Sequence, residues 1–507
     1  MRFAGSECRL SFLAHGERAL FRAMPKVTIE KMIYGGDGLG RLPVNASPAL
    51  AGSVNEPAGA PTNASSALAA ADARNSQPER GKAVFVPFVL ADEAVEVEIV
   101  EQRPGFARGE LVSLLSASPQ RVEPGCRYFG RCGGCQYQHA GYGHQLAMKQ
   151  QILRDTLRRT AKLEMEVELK VHASPPWNYR NRTRMKVASQ PEFAIGYFAH
   201  GSHRLLPVEH CPISSPLINR ALAALWQSSE FRSLAAEIAE VQFFANHDDS
   251  AMLLEIFARK TSSVEAFRPA FHALQTALPE LRGLVLFQYL GSDEKTEIAG
   301  PGFARSAPQY LGERELTYLT SEGSFQVPAG AFFQTNRFLV DELLSIVLAH
   351  STPETAKGAV AGNPRQGRHA LDLYAGVGLF AVPLSRRFQR VTAVEIAPFS
   401  VKALRANSGG KLEVVAGATE QFLHRFHRSG VLDLVVVDPP RAGLGERTAR
   451  VLAGLKLAEL IYVSCDPATL SRDLRVLIES GFHIEEAHLV DLFTQTFHIE
   501  TVFRLAR

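Results

Sequence analysis

Positions 462 to 474 read YVSCDPATLSRDL. An apolar run ends in Cys465 and gives way at once to Asp-Pro and a helical pattern. Asp466 can cap that helix, and Pro467 suits its first turn. The thiol then lies near a helix N-terminus, whose partial positive charge favours the thiolate, while the Asp466 charge opposes it. A cysteine at a strand end is more often a packing residue. Two further stretches bear on that choice. LVVVDPPRAGLG (434 to 445) ends an apolar strand in Asp438-Pro439-Pro440-Arg441. A carboxylate there sits at the carboxyl edge of a sheet, where open α/β folds bind ligands, and the prolines stiffen the loop. LDLYAGVGLFA (371 to 381) places a glycine-rich turn between a strand and a helix, with Gly376, Gly378 and Ala381 fitting G-x-G-x-x-A. That pattern alone admits a dinucleotide.

Two carboxylates favour a different ligand. Asp372 stands four residues before the first glycine, and Glu395 ends the next strand, VTAVE, where it can take the two hydroxyls of a ribose. D-x-x-x-G-x-G followed by an acidic second strand resembles the class I methyltransferase fold, which implies S-adenosylmethionine as the ligand. Asp-Pro-Pro loops of this kind also serve methyltransferases that act on amino groups, so the motif does not name the target atom.

A second group of residues has metal-ligand spacing. CRYFGRCGGCQYQH gives C-x5-C-x2-C through Cys126, Cys132 and Cys135, and Cys211 follows in EHCPI. Three close cysteines and a distant fourth suit zinc or an iron–sulfur cluster, and spacing does not choose between them. WNYRNRTRMKV (177 to 187) sets Arg180, Arg182, Arg184 and Lys186 at alternate positions, one face of a strand. Such a stripe could neutralise phosphates, with Trp177 and Tyr179 stacking on unpaired bases.

The elements that must position these groups follow from the pattern of the chain. Its 507 residues imply several domains, and its 46% hydrophobic content is ample for their cores. A net charge of +3 permits a nucleic-acid partner without requiring one. The charged residues Glu7, Arg9, Glu17 and Arg18 argue against a secretory signal, and Met24 is an alternative start. No run is long and apolar enough to span a bilayer. We therefore expect a cytoplasmic, monomeric protein in a reducing compartment, where clustered cysteines suggest a metal before disulfides. Residues 1–25 read as an extension and 26–120 as a small β-barrel. An Ala/Ser/Pro/Asn/Gly-rich insertion at 43–81 is predicted to be disordered. A central α+β domain occupies 121–335. From 336 to 507 apolar strands (HALDLYA, VTAVEI, LDLVVVD, LIYVSC) alternate with amphipathic stretches, which predicts an α/β parallel sheet with helices on both faces.

A thiolate has a purpose in methyl transfer to carbon. Carbon 5 of uracil is a poor nucleophile; thiolate addition at carbon 6 makes it enolate-like, and a base must later remove the carbon 5 proton. SCDPATLSRDL, VDPPRAGL, DLYAGVGLF, FFQTN (332 to 336) and DLFTQTFHIE (491 to 500) together resemble the RNA (uracil-5-)-methyltransferase family. The barrel resembles the TRAM domain, an RNA-binding module of the family's 23S rRNA enzymes. The resemblance implies a Rossmann-like catalytic domain following a TRAM/OB-like barrel, and methylation of a uridine in RNA. It implies Cys465 as nucleophile and Glu500 as general base. Gln334, Tyr374, Gly376, Glu395 and Asp438 would bind S-adenosylmethionine or hold it against the base. It implies a [4Fe–4S] cluster on Cys126, Cys132, Cys135 and Cys211, with zinc the alternative from base rates, so that 121–335 would be an iron–sulfur domain. Ala375, Asp466, Thr494 and Ala418 depart from the family's common Cys, Asn, Pro and acidic or amide residues. Competing expectations are a tRNA uracil-5 enzyme, an amino-group methyltransferase, and a non-catalytic RNA-binding or ribosome-assembly protein.

Overall fold

In KVTIEKM (Lys26–Met32, β1) Val27 and Ile29 are buried while Lys26, Thr28 and Glu30 face solvent, the period of a half-buried strand. With β2 (Asp37–Arg41), β3 (Ala83–Pro87), β4 (Ala94–Gln102) and β5 (Phe106–Ser116) it forms a closed barrel in the order β1-β2-β3-β5-β4. Val27, Ile29, Val84, Val86, Val95 and Val97 fill it. The computed structural model describes residues 24–42, 81–259, 262–288, 307–349, 367–426 and 432–507. The stretch before Met24 and the expected insertion at 43–81, Gly81 apart, lie outside the described residues.

Residues 119–507 form a second unit together with the turn Met32–Gly36. After the helix Tyr142–Thr156 comes β6 (Leu169–His172). Then β7 (Arg182–Ala188), β8 (Ala194–Phe198), β9 (Leu205–Pro207), β10 (Ile238–Ala245), β11 (Met252–Ala258), β12 (Leu281–Gln288) and β13 (Gln309–Gly312) make one sheet, ordered β13-β12-β11-β10-β7-β8-β9. A hairpin, β14 (Glu315–Thr320) and β15 (Gly323–Pro328), follows.

The last sheet contains β16 (Gly367–Leu373), β17 (Phe388–Glu395), β18 (Glu413–Ala416), β19 (Leu432–Val437), β20 (Leu457–Ser464), β21 (His483–Val490) and β22 (Glu500–Ala506). Its order is β18-β17-β16-β19-β20-β22-β21-β6. The first five pair in parallel, and Val435, Val436 and Val437 are buried in succession, as strands covered on both faces must be. β22 runs antiparallel between β20 and β21, and β6 adds an eighth strand from far upstream. The chain order reverses between β16 and β19. That is where such sheets open a crevice at their carboxyl ends. Among the described residues no helix is long and apolar enough to cross a membrane.

Between β21 and β22, residues 491–499 form no strand and are held by polar contacts instead. Lys149 Nζ lies 2.5 Å from Asp491 Oδ1, both side chains essentially excluded from solvent (0% and 1% exposed). Tyr142 donates to the other Asp491 oxygen, Asn336 to the Leu492 carbonyl, and Tyr179 to the Thr494 carbonyl. Removing one partner of a buried pair strands the other charge, at a cost of about 3–5 kcal/mol. Lys149→Met should lower the unfolding free energy by that order, and Lys149→Met/Asp491→Leu should recover part of it in urea titrations.

Candidate functional site

Cys465 follows directly on β20, and Asp466 accepts from the Ala468 and Thr469 amides, each at 2.9 Å, which caps the helix Pro467–Glu479. The thiol is half-buried. β20 pairs with β22 in the register Ser464↔Thr501, so the next residues along, Cys465 and Glu500, face each other across the strand ends. Asp438 lies one strand further, after β19, and its amide donates to the Leu373 carbonyl at 3.3 Å. Three side chains from different stretches of sequence thus meet at one edge of the sheet.

The Asp438 loop is fastened to the helix behind Cys465. Thr469 Oγ1 donates to the Arg441 carbonyl at 3.0 Å, and Arg472 to the Ala442 carbonyl at 2.8 Å. Asp473 Oδ2 accepts from the Leu444 amide and the Tyr462 hydroxyl, at 2.7 and 2.8 Å. Gly443 has φ +70°, and a Cβ there would stand 2.5 Å from Asp473 Oδ2. Only glycine lets the loop close this tightly.

Electrostatics at this edge are dominated by buried acids. Burial raises the Glu500 carboxyl well above its usual range, and the Asp438 charge adds to it. Burial likewise raises Asp438. The Cys465 thiol is pushed up to about 12 by burial, then by Glu500 and Asp438, against the pull of Arg441. Beside them His498 is held down to about 3 by burial and by Arg441, so it stays neutral, and Arg441 Nη2 reaches its Nε2 at 3.3 Å.

At the glycine-rich turn Glu395 accepts from the Gly376, Ile396 and Ala397 amides at 2.7–2.8 Å, which braces the loop. Tyr374 takes φ +68° and donates to Glu420 at 3.0 Å. Gln334 is buried two residues before Asn336. Asp372, which the sequence placed in this motif without a contact of its own, is fully buried. Neither of its oxygens has a well-formed hydrogen bond. Burial and Asp438 raise it to about 8, although the Ala381 amide pulls the other way. An orphaned carboxyl at a ligand crevice is suited to a cation or a strong donor.

The four clustered cysteines line a single cavity of about 70 Å³ with Arg180, Tyr197 and His210. Burial raises the Cys126 thiol, raises Cys132 to about 11 and raises Cys135 further, with Cys211 adding to each. Four thiols on one cavity are a donor set of the kind a tetrahedral centre uses, and the Nε of Arg180 has no hydrogen-bond partner, which leaves a donor for an anionic group. Among the described residues, however, no group of three or more His, Cys, Asp or Glu is arranged to hold a metal ion.

Arg182, Arg184 and Lys186 do not form the phosphate-binding stripe that their spacing suggested. Arg182 pairs with buried Glu255 at 2.7 Å, Arg184 with Glu240 at 3.2 Å and Lys186 with Glu240 at 2.7 Å. Their side chains are only 9, 25 and 21% exposed. β7 is an interior strand beside β10, so the cations answer acids of their own sheet and offer no phosphate track. Tyr179 is fully buried and cannot stack on a base.

A family model described as tRNA (Uracil-5-)-methyltransferase matches residues 141–507, and one for the TRAM domain matches 63–112. A Thermotoga maritima protein described as an uncharacterized RNA methyltransferase is 30% identical over 440 residues, covering 84% of this chain and 94% of that one. An Aquifex aeolicus protein of the same description is 28% identical over 484 residues, covering 94% and 97%. The Pyrococcus abyssi tRNA (uracil-54, C5)-methyltransferase, solved with S-adenosyl-L-homocysteine, superposes with a TM-score of 0.65. It is 20% identical and covers 95% of this chain and all of its own, a likeness of fold.

The thiol provides a direct check on the geometry. Once Glu500 has ionised, its charge opposes the thiolate; Glu500→Gln removes that charge, so the thiol's pKa falls. Alkylation of the Cys465 peptide by iodoacetamide, followed by mass spectrometry across pH, should shift to lower pH. An unchanged profile would separate the two residues.

Proposed function

Because the chain belongs to the tRNA (uracil-5-)-methyltransferase family, we propose that it methylates carbon 5 of one uridine in 23S rRNA, with Cys465 as nucleophile and Glu500 as general base. The observation that carries this reading is the β20–β22 register, which sets a thiol and a carboxyl opposite each other at the ligand edge of the sheet. S-adenosylmethionine supplies the electrophilic methyl group. Asp372 would take its cationic portion, Glu395 its ribose hydroxyls, and the Gly376 turn its close approach; Tyr374 and Gln334 would complete the wall.

The chain's own residues divide the work as follows. The Cys465 thiol gives up its proton to solvent, and its Sγ bonds as the thiolate to carbon 6 of the uracil, breaking the 5,6 double bond and leaving carbon 5 rich in electrons. Asp438, buried and raised, holds the ring's polar edge. Once carbon 5 bears the methyl group, Glu500 takes its remaining proton. The electron pair reforms the double bond and expels Cys465. A carboxyl raised by burial is a stronger base than an exposed one, which this step needs. The target base must leave its stack to reach the thiol.

The choice of 23S rRNA over tRNA rests on the resemblance of the barrel and the four cysteines to the family's 23S rRNA enzymes; the TRAM match supports RNA as the substrate. Cys126, Cys132, Cys135 and Cys211 would hold a [4Fe–4S] cluster whose role is structural, since methyl transfer moves no net electrons. It would tie the 126–135 loop to residue 211.

Mapping 5-methyluridine in 23S rRNA and tRNA, with and without the gene, tests the substrate. One 23S site should disappear, and loss from tRNA alone would overturn the rRNA assignment. Cys465→Ala should abolish methylation and keep RNA binding; a fully active variant would point to an amino-group target. Anaerobic protein should be brown and contain iron and sulfide, and Cys135→Ser should bleach it. A colourless protein with stoichiometric zinc would replace the cluster with zinc.

A further inference from the structure

The turn Met32–Gly36 packs as part of the larger unit. Its Tyr34 places a hydroxyl 3.4 Å from the Cys465 carbonyl oxygen and within hydrogen-bonding reach of the Asp466 side chain. The ring stands edge-on to Phe497, centroids 5.5 Å apart at 83°. Phe497 in turn packs on His498 at 4.3 Å, two residues before Glu500. The turn is held closely, because Gly36 has φ +98° and a Cβ there would meet Gln136 Cγ at 2.8 Å. Gln136 is itself tied in: its amide donates to the Gln495 carbonyl, and its Oε1 accepts from the Phe497 amide. Burial and the Asp466 carboxylate hold the phenol far above its ordinary pKa, so it remains a donor throughout the working range.

We propose that Tyr34 is a positioning residue for the methyl transfer: its hydroxyl fixes the Cys465–Asp466 turn while its ring fixes the Phe497 segment, which keeps nucleophile and base in register. The proposal rests on the reading of Cys465 as nucleophile. It goes beyond the two residues that do the chemistry, because Tyr34 acts through the segments that carry them. Donation to Asp466 also spreads the charge of the carboxylate nearest to the thiol in sequence. Without it, that charge bears more fully on Sγ and the thiolate is harder to form.

Tyr34→Phe removes the hydroxyl and keeps the ring, so it separates positioning from folding. With saturating RNA, kcat and the rate of adduct formation on 5-fluorouridine RNA should fall about tenfold, the equivalent of one hydrogen bond. The KM for RNA and the affinity for S-adenosylhomocysteine should stay as in the parent. In the RNA-free protein, the pH profile for alkylation of the Cys465 peptide should move to higher pH. Tyr34→Ala should lower kcat further, and if alanine impairs folding the phenylalanine variant alone decides. A Tyr34→Phe protein with parental kcat and an unmoved alkylation profile overturns the proposal, as does a loss confined to KM. The alkylation shift does not depend on the substrate, so its presence in an enzyme whose Cys465→Ala form is active would fault the uracil mechanism and leave the positioning intact.

Discussion

The antiparallel insertion of β22 between β20 and β21 is the constraint on which the site depends. In a wholly parallel sheet the carboxyl ends of strands face one crevice, and a strand's first residue lies at the opposite end. Reversing β22 brings its first residue, Glu500, to the edge where β20 delivers Cys465. One hydrogen-bonded register thus brings the Glu500 carboxyl to the end of the sheet where the Cys465 thiol lies, and no loop has to carry either across the crevice. The segment leading into β22 must then cross that edge in non-repetitive backbone. Such backbone needs partners for its polar groups. Tyr179, Asn336, Gln136 and Lys149 supply them.

The price of this arrangement is three buried carboxyls, Asp372, Asp438 and Glu500, with Asp438 raising the other two. Full ionisation of all three in a dry crevice is unfavourable. Burial therefore favours the protonated form of these carboxyls and of the Cys465 thiol beside them. Arg441 sits on the other side of the balance and keeps the crevice from being uniformly acidic, with the neutral His498 beside it.

Much of this was legible in the chain itself. Cys465, Asp438 and Asp372 each follow or end an apolar run, and period and turn chemistry put all three at one sheet edge. Glu500 was not accessible that way, because nothing in HIE distinguishes a base from a structural carboxylate; only the family resemblance marked it. The stripe Arg180–Lys186 misled for a related reason. Its spacing was that of a strand, but its acidic partners, Glu240 and Glu255, lie 56 and 73 positions away from Arg184 and Arg182. Alternation reports which residues share a face and says nothing of what the face meets. Tyr34 gave no signal, since a tyrosine before two glycines reads as turn chemistry alone.

The edge strand β6 carries a consequence for how the catalytic sheet is assembled. It pairs in parallel with β21, and at that seam His172 and His488 stack with centroids 5.1 Å apart, 316 positions apart in the chain. Pairings so distant gain nothing until a very long loop has closed, so they are slow to form. Until β6 arrives, β21 presents an open ladder of donors and acceptors, the kind of margin along which chains associate with one another. The upstream strand acts in this sense as a seam allowance. Changes that slow its docking would appear first as lost soluble protein during folding, while the molecules that finish would remain fully competent.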